Sequence, residues 1–127
     1  MDYNFSKFKN THGRYESRIT VTASRSIGFP TLFYNKNNIG SYKYVILYLD
    51  DKQKAIGIQF SNDEEEPHKF TLIKSKAGYG GNIVATSFFK RYGIDPKVYK
   101  GKYNWKKVKT QFGELFVIEL RERETEG

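Results

Sequence analysis

Cysteine is absent from the 127 residues, which excludes disulfides, thiolate metal sites and a cysteine nucleophile. The two histidines, His12 and His68, are too few to ligate a catalytic metal by themselves, and no His-Asp set accompanies the many serines and threonines. No run is apolar for long enough to span a bilayer, and the stretch Met1–Lys7 lacks the apolar core of a signal peptide. These absences predict a soluble, cytoplasmic protein with no membrane partner, no cofactor and no enzymatic activity. The lack of cysteine is compatible with a reducing compartment. Acids are also scarce, 14 against 22 bases, for a net charge of +8.

That excess is concentrated. Between Pro67 and Gly113 stand ten lysines and one arginine against a single acid, Asp95, so this segment carries +10 and the other residues sum to −2. A local cationic excess is the footprint of a polyanion-binding surface, because each neutralised phosphate releases counterions. A lysine-rich surface that merely solubilises the chain accounts for the same numbers. Ten tyrosines and ten phenylalanines favour sheet over a helical bundle, since flat rings pack well on a pleated surface. The length suits one domain with one core.

The pattern centres on Ile27-Gly28-Phe29-Pro30-Thr31-Leu32-Phe33-Tyr34, an extended segment that breaks at proline and feeds a short helix, about Leu32 to Asn37. A weaker copy, Ile83-Val84-Ala85-Thr86-Ser87-Phe88-Phe89, lies downstream. At an offset of 55 residues Thr31 meets Thr86, Phe33 meets Phe88, Ile39 meets Ile94 and Tyr44 meets Tyr99. Thr31 and Thr86 suit N-caps, while Asn38-Ile39-Gly40 and Gly93 supply stops. Strands are expected at Arg18–Thr22, Tyr42–Leu49, Ala55–Phe60, Phe70–Lys74 and Glu114–Leu120, with a polar hairpin turn at Asp50–Lys54. The expected fold is therefore α+β, mainly antiparallel sheet or a distorted β-barrel, from two tandem β-turn-α-β units with one short helix each. Residues 1–13 form an arm with a turn at Thr11-His12-Gly13, 14–60 the first unit, 61–69 an acidic linker, 70–120 the second unit and 121–127 a charged tail.

Ile27-Gly28-Phe29-Pro30, then Asn38-Ile39-Gly40, then Tyr44-Val45-Ile46-Leu47-Tyr48-Leu49 resemble the swapped-hairpin family of DNA-binding proteins typified by AbrB, SpoVT and MraZ. The likeness covers residues 18–60 and, more loosely, 70–120. It implies a barrel-like body that presents basic residues of the first strand and of the turn before the helix to duplex DNA. By position these are Arg18 and Arg25, with Arg14 just upstream, and Lys74 and Lys76 in the second unit; Lys90 and Arg91 add charge. It further implies a homodimeric, transcription-regulator-like protein that binds DNA rather than RNA. Each basic residue is also accounted for as an ordinary solvent-facing side chain on a half-buried strand.

Three other signals bear on function. Tyr99, Tyr103 and Trp105 among Lys97, Lys100, Lys102, Lys106, Lys107 and Lys109 interleave aromatics with cations, as in single-strand binders; core anchoring of Trp105 is the simpler account. Gly78-Tyr79-Gly80-Gly81-Asn82 offers backbone amides but lacks phosphate-loop and dinucleotide spacings. The run Asp63–Glu66 reads as solvated. A phage- or plasmid-type accessory protein with an acidic protein partner is the alternative function.

Overall fold

The computed structural model describes residues 3–5, 16–76 and 79–122. Arg14, Phe8, the turn at residues 11–13 and residues 123–127 of the tail lie outside them. The chain runs β1 (Ile19–Val21), β2 (Ser26–Phe29), α1 (Thr31–Lys36), a 3-10 turn (Ile39–Ser41), β3 (Tyr44–Asp50), β4 (Ala55–Ser61), β5 (Phe70–Thr71), β6 (Ile73–Lys74), β7 (Gly81–Val84), α2 (Thr86–Arg91), α3 (Pro96–Tyr99), β8 (Gly101–Tyr103), β9 (Trp105–Thr110) and β10 (Gly113–Glu119). The fold is α+β. Its two five-stranded sheets have the orders β6-β7-β2-β1-β8 and β5-β3-β4-β10-β9, and every pairing is antiparallel.

The expected strand at residues 70–74 divides at Leu72: β5 edges one sheet and β6 the other. The lysine-rich connection is likewise structured, with β8 in the first sheet and β9 in the second. The chain thus turns two corners between the layers. The result is two sheets, not a closed barrel.

Alternation decides which face is inward. Ile19, Val21, Ile27, Phe29 and Ile83 of the first sheet are buried, as are Val45, Ile56, Ile58 and Ile118 of the second. Between them lies an aromatic cluster centred on Phe33, which meets Trp105 and Phe116 edge-on at 5.1 Å each and stacks on Phe29 at 5.9 Å. Burying each such ring is worth roughly 1.5–3 kcal/mol. Trp105 also donates its indole N–H to the Ser17 carbonyl at 2.9 Å, so it is a core anchor with its polar end satisfied.

A six-residue helix is not stable in isolation, so packing must hold α1 and α2. Phe33 and Tyr34 bury α1, while Phe88 and Phe89 bury α2. Each helix begins on its threonine, not one residue after it. Pro30 and Ala85 occupy the N-cap positions, and neither helix has a side-chain cap. Asn38 adopts φ 53° before the 3-10 turn, and Gly93 adopts φ 63° after α2, where Ile94 N–H donates to Phe89 O at 2.9 Å. Ile39 and Ile94 are both buried.

The 55-residue correspondence holds for these helices but not for the strand faces. Phe29 is 2% exposed, whereas Val84 at the matching place is 53% exposed. In the β2·β7 ladder Ile27 lies opposite Ile83, both fully buried. The second strand therefore has one residue fewer between its buried isoleucine and its helix, and Ala85, at the place of Pro30, is fully buried. The two turns meet the opposite halves: Arg25 O accepts from Ala85 N at 2.8 Å, and Gly80 lies against the backbone of Phe29–Thr31.

Candidate nucleic-acid interface

The outward face of the first sheet is built from the side chains that alternate with the core. Register aligns Lys102, Thr20, Gly28, Asn82 and Ile73 in one row across all five strands. Small or polar groups at its centre, and no side chain at Gly28, leave the middle of this face low and wettable. Five strands at about 4.8 Å spacing make it about 19 Å across.

At its β8 edge, where the chain leaves for the second sheet, lies a cleft of about 360 Å³. Arg18, Lys102, Lys106 and Arg121 line it together with Asn104; Glu119 is the acid in its wall. Tyr103 and Trp105 form its rigid base. The Tyr103 hydroxyl donates to the Tyr99 carbonyl and accepts from the Arg121 N–H at 3.3 Å, which ties the end of β10 to β8. Glu16 balances part of the charge: its Oε1 lies 2.7 Å from Arg18 Nε and 3.6 Å from Lys102 Nζ. Lys106 reaches Glu119 at 3.4 Å. Surface pairs of this kind contribute about 0–1 kcal/mol, so a phosphate can displace them at little cost. The guanidinium forks and ammonium groups are all donors, suited to phosphate or carboxylate oxygens.

The remaining expected contacts are spread out. Arg25 sits in the β1–β2 turn with φ 66°, half-buried beside the start of α2. Lys74 donates through Nζ to the Gly40 carbonyl at 2.8 Å, which closes the 3-10 turn. Lys76 is exposed in the β6–β7 connection, near Tyr79, which is 67% exposed. Lys90 and Arg91 lie in the last turn of α2, and Arg91 lines a groove away from the cleft. Of the expected set, the structure brings only Arg18 into the cleft; Arg14 lies outside the described residues. No group of three His, Asp or Glu side chains among the described residues is placed to hold a metal ion, and no helix of the described residues is long and apolar enough to cross a membrane.

No family model, curated protein or solved structure matches this chain.

Sequence reasoning did not assign Lys102, Lys106 and Arg121 to the interface. Lys102 and Lys106 stand in the run of lysines and aromatics, where the signal lay in the alternation: Tyr103 and Trp105 go inward, so Lys102 and Lys106 go out. Arg121 carries no such pattern. It is placed by the fold of β10 beside β8, which no local spacing encodes.

Proposed function

We propose that this protein binds duplex DNA without catalysing a reaction, as a transcriptional regulator does. The observation that supports this most is the convergence of Arg18, Lys102, Lys106 and Arg121 on one cleft at the edge of a low polar sheet face. A phosphodiester backbone seated in the cleft places the groove over Thr20, Gly28 and Asn82, with Lys76 on the far side. The resemblance of residues 18–60 to the swapped-hairpin DNA-binding family, and the two strand-turn-helix segments it shares with MraZ-like chains, support the same assignment. That resemblance also favours a homodimer, which would present two clefts to one duplex.

The test compares two charge reversals of equal size. The double variant Arg18→Glu/Lys106→Glu changes the cleft, and Lys52→Glu/Lys54→Glu changes the β3–β4 turn. Fluorescence anisotropy with a labelled duplex is expected to show at least a tenfold loss for the cleft variant, about 1.4 kcal/mol, and a small loss for the turn variant. Equal losses would mean that net charge alone attracts DNA, and the cleft assignment would be wrong. Tyr79, exposed in the same β6–β7 connection as Lys76, favours one second reading, stacking on single-stranded nucleic acid. A single-stranded probe that outcompetes the duplex, with its advantage lost in Tyr79→Ala, would select it.

A further inference from the structure

β3 pairs with β4 along its whole length but with β5 only at Tyr44 and Val45. From Ile46 to Asp50 no described strand covers its other edge. Alternate residues of any strand direct N–H and C=O to each side, so this edge presents backbone groups that no strand among the described residues pairs. The other long edge, β9, also lacks a second partner, but it is guarded by Lys106, Lys107 and Lys109. The open part of β3 reads Ile46-Leu47-Tyr48-Leu49 and has no charge before Asp50.

Beside this edge lies a groove of about 880 Å³ between β3 and α2. Ile46, Leu47, Phe70, Phe88 and Tyr92 supply apolar and aromatic walls, and Phe112 stacks on Tyr48 at one end. Phe33 in α1 has its ring enclosed by Trp105, Phe116 and Phe60, whereas the matching Phe88 in α2 faces this groove. The charged lining is mostly basic. Arg91 is exposed on the rim, Lys69 holds its Nζ on the Glu64 and Glu66 carbonyls at 3.0 Å each, and Glu66 is the one acid among the described lining residues. Pro67, also in the lining, has no N–H and cannot extend the β5 pairing along β3.

We propose that this groove is a peptide-docking site, in which an extended segment of an acidic partner protein adds to the sheet along Ile46–Leu49. Its backbone pairs with the open edge, its apolar side chains enter between Phe70 and Phe88, and an acidic side chain meets Arg91. A strand edge flanked by a helix and an apolar trough is the geometry of β-augmentation. The cationic rim selects acid over base. The site lies on α2 and β3, apart from the Arg18 cleft, so its test is independent of DNA binding.

Selection of a displayed random-peptide library on the full chain is expected to enrich sequences that alternate apolar and acidic residues. Synthetic copies should slow exchange of those Ile46–Leu49 amides that point away from β4. Ile46→Lys, which places a guard charge on the edge, should weaken them at least tenfold. Arg91→Glu, at an exposed position, should shift preference toward basic peptides. The proposal is overturned if no such peptides are enriched, or if those enriched bind both variants as they bind the parent. It is equally overturned if those Ile46–Leu49 amides that point away from β4 are already protected without peptide. Protection that rises with protein concentration would assign the edge to a second copy, and protection independent of concentration would assign it to another part of this chain.

Discussion

Trp105 shows how one side chain couples the two sheets. Its ring lies between Phe33 and Phe116, and its N–H reaches Ser17, ahead of β1. Trp105→Ala removes both and should lower unfolding free energy by about 3–5 kcal/mol. Trp105→Phe keeps most of the packing and loses the hydrogen bond, for a loss of about 1–2 kcal/mol. Urea denaturation of the two variants separates these terms, and an unchanged stability in Trp105→Phe would show that the bond to Ser17 contributes nothing. Two glycines give a second contrast. Gly80 has φ 104°, and a Cβ there would stand 2.5 Å from the Phe29 carbonyl oxygen. Gly93 has φ 63° with nothing within 4 Å of a Cβ. Gly93→Ala should cost about 1 kcal/mol through backbone strain alone, and Gly80→Ala should cost clearly more, because the β6–β7 turn must also leave the end of β2. Comparable thermal shifts for the two would contradict the close approach.

At the scale of elements, the β3–β4–β10 layer carries a pH dependence. The Tyr48 hydroxyl donates to Gln59 Oε1 at 2.9 Å, and burial, with the charge of Glu66 adding, raises its phenol above the ordinary 10.0. The folded state therefore favours the neutral phenol. This contribution is complete below pH 10.0 and is lost as pH rises through the higher folded value. Tyr48→Phe should destabilise at neutral pH and flatten the alkaline fall in stability; an unchanged alkaline limb would contradict the assignment. Much of this layer was legible in the sequence. Val45, Leu47 and Leu49 against Ile56, Ile58 and Phe60 alternate with period two, and Asp50–Lys54 marks the turn that the structure contains. The break at Leu72 was not legible, since one apolar strand pattern serves equally well for a strand that changes sheets. The helices were legible as aromatic pairs before a stop. The strand faces of the two halves were not, because the buried isoleucine stands one residue nearer its helix in the second half, which reverses the side chains that point inward.

For the whole molecule, charge placement matters more than its sum. The segment from Pro67 to Gly113 was legible as cationic, but folding disperses it: Lys74 ties down the 3-10 turn, Arg91 faces the groove, and Lys102 and Lys106 join Arg18 and Arg121 from elsewhere in the chain. Sequence spacing could not show that meeting, because Arg18 and Arg121 lie at opposite ends of the described chain and come together only through the β1·β8 pairing and the corner into β9. Under the proposed function, four cations in the cleft imply about four phosphate contacts per protomer. The most direct measurement is the affinity for duplex DNA across ~50 to ~200 mM salt, plotted as log K against log salt concentration. The expected slope is near −3.6 per bound cleft, about −0.9 per phosphate, falling toward −1.8 per cleft in Arg18→Ala/Lys106→Ala. A slope that is flat, or identical in the two proteins, would contradict it.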